Sequence, residues 1–584
     1  MKRIRTGLFL LLLCFLCACE NQGQEGRIKV CLMETDGIAI PENGLLIVPG
    51  EDAVFHLAAD EDRVITGVDY TGRYLLLEED DHTYTLELKN VQYPIRVHVD
   101  VSDRIGPYVT IRYDQNGGEG TAQEVWDITK YPRPNTVIGT DVFFREGYTL
   151  TSWNTKPDGS GTRIGLGSRV TPTQAEMVLY AQWAPWTAAE AFSFADGTIT
   201  AYRGSEREVV IPETIDREPV RAIAADAFYR CGADTVILPP TLLTVEEGAF
   251  QEAALTTLLL FDSIKDLSDA AFSGCDQLQT LLINAATPPY GHQYRRESVY
   301  ADKVDLLITS LEKPRLVFYG GCSMWYNLIG GDAEESFPGY TVVNMGLNGV
   351  VSSRVQMEIM GAFLKEGDIL FHTPEISSEE QLMTFSDMYN GDDKLWCGIE
   401  YNYDLFSLVD IRGMGGVFDS LANYLEKKKP GGSYLDSYTD ADGNVYMDST
   451  GSLPGVRTET ARRLTDKVSL QPSYLEDGLP RLKDMYGRYQ EKGVIIYVSY
   501  ACVDVDALPA DERGNVELMD KLYHETFGAM DKVAVISRLS DYLYANHDFY
   551  DTCYHLLTNP AHENTKKWML DLKKQMEADG LFGE

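Results

Sequence analysis

The sequence predicts a multidomain protein in which N-terminal all-β modules and a short solenoid precede a C-terminal α/β domain. Three observations support this prediction. The chain has 584 residues, which is too long for a single hydrophobic core. An Ala-Phe pair recurs at a fixed spacing near the middle of the chain, as in repeat proteins. Beyond residue 311, strand-like and helix-like segments alternate, which is typical of a sheet covered by helices.

The chain is strongly acidic. Lys and Arg together number 51, and Asp and Glu number 89, so the formal net charge is −38. Such a surface repels the phosphates of DNA and RNA, and we therefore expect no nucleic-acid partner. A hydrophobic content of 44% also excludes a chain that is disordered throughout.

The first residues are organised like an export signal. A basic start, Met1 to Arg5, is followed by an apolar run, Leu8 to Leu16, that is too short for a typical membrane span. Leu16-Cys-Ala-Cys19 then resembles a bacterial lipobox, in which the last cysteine is lipidated after cleavage. The resemblance implies a signal peptide at 1–19, a lipid on Cys19, and a membrane-anchored protein on the extracellular face. The alternative is an ordinary secretory signal that is cut nearby.

The remaining cysteines do not predict a disulfide framework or a metal site. Seven cysteines follow the signal, an odd number with wide spacing. Beyond the signal, the sequence contains no pair of closely spaced Cys or His residues of the kind that binds zinc. Asp440-Ala-Asp-Gly443 lacks the further acidic positions and the closing Glu of a calcium loop, so it is interpreted as a turn. We expect no metal and no cofactor.

Two β modules follow the signal. Within 27–103, short β-prone runs alternate with turns, and Ile95–Val101 alternates apolar and polar residues, which predicts a β-sandwich-like module. Residues 106–184 open with a turn-rich stretch and close with Val178-Leu-Tyr-Ala-Gln-Trp183. This segment resembles a Listeria–Bacteroides repeat, a small β-grasp-like module, and the resemblance implies a surface spacer or an adhesive function. Trp153 and Trp183 could stack on sugars, but packing in the core is the favoured interpretation.

Residues 187–290 contain an internal repeat. Ala-Phe pairs end at Phe228, Phe250 and Phe272, which are 22 residues apart each time. One such unit cannot bury its own apolar face, but stacked neighbours can. The pattern resembles the BspA-type leucine-rich repeat, and within it Cys231 and Cys275 are predicted to be core residues. Few repeats are present, so we expect no large concave binding surface.

Residues 311–584 form the predicted α/β domain. Its strands are expected at Leu316–Tyr319, Thr341–Asn344, Ile369–His372, Val494–Val498 and Val533–Ile536. The stretch from about 387 to 474 is harder to assign. We predict an insertion there that lies over the sheet edge and shapes a substrate cleft.

The first strand of this domain leads into Gly320-Gly-Cys-Ser323, where a nucleophile would be presented at the carboxyl end of a sheet. This region resembles the SGNH (GDSL-type) hydrolases, flavodoxin-like α/β enzymes that often remove acyl groups from esters or glycans. Counting from Gly320 puts Cys322 in the nucleophile position, whereas counting from Gly321 puts Ser323 there. Ser323 is preferred because it is the residue type of the family, and Cys322 stays a candidate.

Three further segments correspond to family motifs. Val343–Gly349 puts the glycine that supplies an oxyanion-hole amide at Gly349. The segment Ile369–Glu375 lacks the expected Asn, so one oxyanion donor is missing. Asp551-Thr-Cys-Tyr-His555 would supply the general base His555 and the acid Asp551 that orients it, with one residue more between them than is usual.

Three other titratable residues have minor predicted roles. Asp548 is the alternative acid for His555. His372 and His562 are predicted to be structural or exposed.

Two functions are compatible with these features. The first is a lipid-anchored extracellular esterase or deacylase that acts on acylated glycans or small esters. The alternative is a non-catalytic adhesion or scaffold protein with a degenerate SGNH-like domain, and the missing Asn supports it. In both cases the N-terminal modules could bind a host or cell-wall ligand.

Overall fold

The structure of the chain is a computed structural model. The structure describes residues 27–32, 38–40, 44–60, 63–69, 74–80, 83–89, 91, 95–103, 108–119, 127–130, 135–136, 143–170, 176–286, 299–310, 313–347, 351–375, 388, 393–399, 402–427, 449–453, 457 and 468–581. The chain divides into two compact units, Met1–Arg104 and Ile105–Glu584, and each is described by itself. The predicted signal peptide and Cys19 lie outside the described residues.

The first unit is entirely β in its described residues. Its strands form two four-stranded sheets, ordered β3-β1-β8-β5 and β2-β4-β7-β6. Alternate side chains of β4 are buried, with Phe55 and Leu57 almost completely so, because successive residues of a strand face opposite sides of the sheet. The strands are β1 (Ile28–Leu32), β2 (Ile38–Ala39), β3 (Leu45–Ile47), β4 (Ala53–Ala59), β5 (Arg63–Asp69), β6 (Tyr74–Asp80), β7 (Thr83–Leu88) and β8 (Ile95–Asp103).

The second unit begins with another β module, organised around a five-stranded sheet of order β10-β9-β15-β12-β13. Trp153 is completely buried and packs edge-on against Tyr113 and Phe143. Trp183 donates its indole N–H to the carbonyl of Gln115 at 2.9 Å. Trp153 is therefore a core residue and is not available to stack on a sugar. The strands are β9 (Tyr108–Asp114), β10 (Asp127–Lys130), β11 (Asn135–Thr136), β12 (Tyr148–Asn154), β13 (Arg163–Ile164), β14 (Arg169–Val170) and β15 (Glu176–Pro185).

A solenoid follows. It has two sheets, and each sheet is built from short strands that recur along the solenoid axis. One sheet has the order β18-β22-β24-β26 and is parallel throughout, and the other has the order β16-β17-β21-β23-β25. The strands are β16 (Phe192–Ala195), β17 (Thr198–Tyr202), β18 (Glu208–Val210), β19 (Thr214–Ile215), β20 (Glu218–Pro219), β21 (Ala222–Ile223), β22 (Thr235–Ile237), β23 (Thr244–Val245), β24 (Thr257–Phe261), β25 (Asp266–Leu267) and β26 (Thr280–Asn284).

The Ala-Phe repeat forms an aromatic ladder inside the solenoid. Phe250 is completely buried and stacks between Phe228 and Phe272, with ring centroids 4.6 and 5.1 Å away. Cys275 is also buried, and burial raises the pKa of its thiol to about 11. The repeat spacing therefore brings identical side chains into register, as stacked units require.

The outer face of the parallel solenoid sheet is covered. Val210, Ile237 and Leu259 project from three neighbouring strands into a core that they share with Leu150 and Trp153 of the β module. The face that a repeat protein commonly uses as a concave binding surface is therefore occupied by the preceding module.

The C-terminal part is an α/β domain built on a parallel five-stranded sheet of order β28-β27-β29-β30-β32. This order, with the second strand outside the first, is that of a doubly wound sheet. Its strands are β27 (Arg315–Gly320), β28 (Thr341–Asn344), β29 (Ile369–Thr373), β30 (Ile495–Val498) and β32 (Val533–Val535), and β31 (Val503–Asp504) pairs with β33 (Leu543–Tyr544). The helices are α1 (Val299–Thr309), α2 (Cys322–Asn327), α3 (Gly330–Ser336), α4 (Ser353–Phe363), α5 (Lys394–Gly398), α6 (Val417–Lys427), α7 (Ser473–Glu491), α8 (Asn515–Phe527) and α9 (Thr558–Ala578).

Part of the predicted insertion at 387–474 has a different position from the one expected. Phe418 of α6 stacks on Phe272 with ring centroids 4.4 Å apart and so extends the aromatic ladder. Ile411 donates its backbone N–H to the carbonyl of Gln279 in the last repeat. These residues cap the apolar end of the solenoid, which would otherwise be exposed to water, rather than lying over the sheet edge.

A polar contact joins the three parts of the second unit. Asp404 accepts hydrogen bonds from the Arg163 guanidinium at 2.6 Å and from the Gly165 amide at 2.5 Å. Asn284, at the end of the solenoid, accepts one from the Leu166 amide at 3.1 Å. The β module, the solenoid and the α/β domain therefore pack as one body, and fragments that end near residue 290 or begin near 300 would expose its core.

Candidate functional site

The turn after β27 carries the candidate nucleophiles. Every residue of β27 is buried, and α2 begins at Cys322 directly after Gly320 and Gly321. A Cβ atom on Gly321 would lie 2.3 Å from the Glu375 carboxylate. Glycine is therefore required at this position because another segment approaches its backbone closely.

Glu375 comes from the segment that follows β29, where sequence reasoning expected an Asn and found none. Its Oε1 atom accepts a hydrogen bond from the Ser323 amide at 2.8 Å. The Cys322 sulfur lies 4.0 Å from the same oxygen. The turn is thus occupied by a carboxylate acceptor in place of the expected amide donor. Sequence reasoning did not single out Glu375, because only the fold brings it back over the first turn.

The two candidate nucleophiles differ in their surroundings. Ser323 is completely buried, and its hydroxyl makes no hydrogen bond with any residue in the described part of the chain, His555 included. Cys322 is partly exposed and close to the Glu375 carboxylate. A reactive thiolate is favoured by positive neighbours, so the Glu375 carboxylate disfavours a reactive thiolate at Cys322.

Asp551 and His555 form a close pair. Asp551 Oδ1 lies 2.6 Å from His555 Nδ1, so the additional residue between them is compatible with direct contact. The imidazole is 6% exposed and stacks on the Tyr326 ring, with centroids 3.5 Å apart and planes 4° from parallel. Asp548 instead accepts a hydrogen bond from the Ala545 amide, so Asp551 is the acid that contacts His555.

A buried asparagine joins the two candidate segments. Asn327 accepts a hydrogen bond from the Leu556 amide at 2.8 Å and donates one to the Tyr554 carbonyl at 2.8 Å. Its own carbonyl accepts from the Thr565 hydroxyl at 2.9 Å. Residues 229 positions apart in the chain are thereby held together, with His555 between the two that Asn327 contacts. Asn327 lies four residues after Ser323 and was not recognised in the sequence as functionally important.

Arg457 is a second residue that sequence reasoning missed. It is 6% exposed, and its guanidinium donates to the Tyr326 carbonyl and lies 5.0 Å from the Tyr326 ring centroid. Burial lowers the pKa of Arg457, whereas the neighbouring Tyr326 and Asp551 act in the opposite direction. The segment around it has no recognisable motif that could have pointed to the site.

The turn after β28 is held by a buried lysine. The Lys303 ammonium is fully buried and donates to the carbonyls of Asn344, Gly346 and Gly451 at 2.7–2.9 Å. Asn344 Oδ1 also accepts from the Gly346 amide at 2.8 Å. Gly349, the predicted oxyanion glycine, lies outside the described residues.

His372 and His562, the histidines predicted to be structural or exposed, lie outside the Asp551–His555 pair. His372 is buried within hydrogen-bond distance of the Tyr486 hydroxyl, 2.6 Å away, and burial lowers its pKa to about 3. His562 is partly exposed and pairs with Asp332 at 2.6 Å. Both therefore have partners other than the Asp551–His555 pair.

The part of the chain that the structure describes contains no metal-binding cluster, no disulfide and no membrane-spanning helix. Its His, Cys, Asp and Glu side chains form no group of three or more that could hold a metal ion. No disulfide joins its seven cysteines. None of its helices combines the length and apolar character that crossing a bilayer requires.

Comparison with known proteins identifies two modules. Residues 204–293 match the BspA-type leucine-rich repeat region in six copies, and residues 110–182 match the Listeria–Bacteroides repeat domain. Both repeat families were predicted from the sequence, and both predictions are confirmed. These modules are typical of cell-surface proteins.

Individual relatives match only short stretches. A protein of Evansella cellulosilytica named "Putative membrane protein" is 34% identical over 74 residues, which is 13% of this chain and 11% of that protein. A crystal structure of the T. pallidum leucine-rich repeat protein is 29% identical, covers 17% of this chain and 50% of that chain, and has a TM-score of 0.16. The chain thus spans about a tenth of the length of the first protein and about half of the length of the second.

Proposed function

We propose that this protein is a surface-displayed adhesion or scaffold protein whose repeat modules recognise an extracellular ligand. The observation that supports this most strongly is the match of two adjoining segments to surface-type repeat families. Their packing into one body with the α/β domain suits a rigid display function. The strongly negative net charge keeps such a surface soluble and self-repelling.

The ligand would bind away from the covered sheet face of the solenoid. Each matched module has a large exposed aromatic side chain, Phe144 in the first and Tyr229 in the second, with exposed fractions of 59% and 44%. The Arg230 guanidinium lies 4.9 Å from the Tyr229 ring centroid. Aromatic and Arg side chains are enriched where proteins bind one another, so these positions are the first to test.

A binding screen with the whole chain tests this proposal. The protein is applied to arrays of glycans and matrix proteins, and saturable binding to at least one of them is expected. The double variant Phe144→Ser and Tyr229→Ser should then weaken that binding. Leu570→Ser is the matched control, because Leu570 is 68% exposed on the α/β domain. Absence of binding, or equal loss in the control, would contradict the proposal.

The same proposal includes a lipid anchor at Cys19. The lipobox-like Leu16-Cys-Ala-Cys19 supports it. Metabolic labelling with a fatty-acid analogue should label the wild-type chain, and Cys19→Ala should abolish the label and release the protein from the membrane fraction. Labelling that persists in Cys19→Ala would mean that the anchor is elsewhere.

A second candidate function is hydrolysis of acyl esters or acylated glycans by the α/β domain. The observation that favours it is the 2.6 Å contact between Asp551 and His555, joined through Asn327 to the helix that carries Ser323. In this mechanism His555 takes the proton of the Ser323 hydroxyl as the hydroxyl attacks the acyl carbonyl. The proton then passes to the leaving alkoxide, and water releases the acyl group from Ser323.

Hydrolysis is tested with the whole chain and a short-chain ester such as p-nitrophenyl acetate. His555→Ala should abolish any turnover above the uncatalysed rate, because the general base is lost. His562→Ala, which changes a histidine that pairs with Asp332, should leave turnover unchanged. Turnover that survives in His555→Ala would exclude this mechanism.

A further inference from the structure

The segment after β29 brings a carboxylate onto the candidate active-site turn. Glu375 accepts the Ser323 amide hydrogen bond at 2.8 Å, and its oxygens lie where a side chain on Gly321 would otherwise be. The side chain is 7% exposed. Burial is the main cause that raises the pKa of Tyr319 and of Cys502, and the Glu375 carboxylate adds to the rise of both. The turn therefore lies directly against a buried carboxylate.

This position is unfavourable for ester hydrolysis. Attack of the Ser323 hydroxyl on a carbonyl produces a tetrahedral intermediate with a negative oxygen, which needs hydrogen-bond donors. The Ser323 amide, a potential donor, is already used by Glu375. A carboxylate beside the turn also repels the developing oxyanion, and the repulsion is strong where water is excluded. The buried Ser323 hydroxyl is consistent with a closed site.

We propose that Glu375 closes this site by taking the place of the oxyanion. The proposal rests on the second candidate function, hydrolysis by the α/β domain. The Glu375 carboxylate occupies the donor that a substrate carbonyl would use, so the wild-type chain in this state turns esters over slowly. Displacing or neutralising the carboxylate opens the site, and the His555 and Asp551 pair then completes proton transfer from Ser323.

A purely structural role for Glu375 leads to a different expectation. If Glu375 only satisfied the Ser323 amide, Glu375→Gln would retain an oxygen acceptor there and leave turnover unchanged. If Glu375 closes the site, the same substitution removes the charge and supplies an N–H donor. The neutral amide oxygen also binds the Ser323 N–H less strongly than a carboxylate does, so a substrate carbonyl can displace it. Glutamine therefore separates the two roles without removing the side chain.

The test measures kcat/KM for p-nitrophenyl acetate with the whole chain. The variants are Glu375→Gln, Glu375→Asp, and Glu375→Gln combined with His555→Ala. We expect Glu375→Gln to raise kcat/KM by about tenfold or more, since a single oxyanion donor changes rates by roughly 10²–10³ in a well-studied enzyme. Glu375→Asp should remain slow, and the combined variant should lose the gain. Glu512→Gln is the control, because Glu512 accepts the Leu470 amide hydrogen bond at 2.7 Å outside the candidate site.

The possible results separate this inference from the function on which it rests. In one outcome, wild-type turnover depends on His555 while Glu375→Gln leaves kcat/KM unchanged. That result would overturn the closure by Glu375 and would still support hydrolysis. A fall in turnover in Glu375→Gln would also overturn it and would make Glu375 part of the catalytic machinery. No turnover in any variant would overturn both. An equal gain in Glu512→Gln would show that the effect is not specific to the site.

Discussion

The solenoid and the candidate site of the α/β domain, called the tip here, are held together by different kinds of contact. In the solenoid, Phe250 contacts Phe228 and Phe272, each 22 residues away, so the same contact recurs along the chain. At the tip, Asn327 contacts Leu556, 229 residues away, and the contact occurs once. A repeated contact appears in the sequence as a period, whereas a single long-range contact does not.

The largest effect is expected from the aromatic ladder. Phe250→Ala should lower the free energy of unfolding by about 3–5 kcal/mol, because it removes a completely buried ring and leaves a cavity between two stacked neighbours. Urea denaturation of the whole chain measures this change. Tyr229→Ala, at a side chain 44% exposed, should change the stability by less than about 0.5 kcal/mol. Similar losses in both variants would contradict the ladder as a source of stability.

The single long-range contact should have a smaller but more local effect. Asn327→Ala leaves the buried Leu556 amide without its acceptor, at a cost of about 1–3 kcal/mol. Hydrogen exchange should become faster at Leu556, with less change in β27. Asn327→Asp retains the acceptor oxygen and should protect the Leu556 amide better than alanine does. Unchanged exchange at Leu556 in Asn327→Ala would argue against this connection.

The buried His372 should make stability depend on pH. Its folded-state pKa of about 3 lies below its ordinary value of 6.5, so the unfolded chain binds a proton below pH 6.5 that the folded chain excludes. This stability contribution is therefore complete above pH 6.5 and is lost as the pH falls, by about 2 kcal/mol at pH 5.

Urea denaturation at pH 7 and pH 5 checks this expectation. His372→Gln should show a smaller fall in stability between the two pH values than the wild-type chain. His547→Gln, which changes a histidine whose side chain is 83% exposed, should behave like the wild type. Equal falls in all three proteins would mean that other groups cause the pH dependence.

The smallest effect is expected where α6 of the α/β domain caps the solenoid. Phe418→Ala removes the ring that extends the ladder beyond Phe272, and it should speed hydrogen exchange in the last solenoid repeat while sparing the first. Leu408→Ala, at a side chain 43% exposed, is the control. Unchanged exchange in Phe418→Ala would mean that the α/β domain does not stabilise the solenoid end.

The sequence predicted some parts of this molecule well for physical reasons. The 22-residue period identified the solenoid. Short apolar runs that alternate with helix-like segments predicted the strands β27, β28 and β29 within one or two residues. The pair Asp551 and His555 was also predicted, because both lie in one short segment. Glu375, Lys303, Asn327 and Arg457 were missed, since each acquires its surroundings only when distant segments pack together.

The contrast between the two regions also separates the two candidate functions. Our central claim is that the repeat modules bind the extracellular ligand, whereas Glu375 closes the candidate hydrolase site of the α/β domain. The most direct test is adherence of cells that display the whole protein to the surface found in the binding screen. We predict that the Phe144→Ser and Tyr229→Ser double variant reduces adherence and that His555→Ala leaves it unchanged. Adherence that is lost in His555→Ala and retained in the double variant would contradict this account.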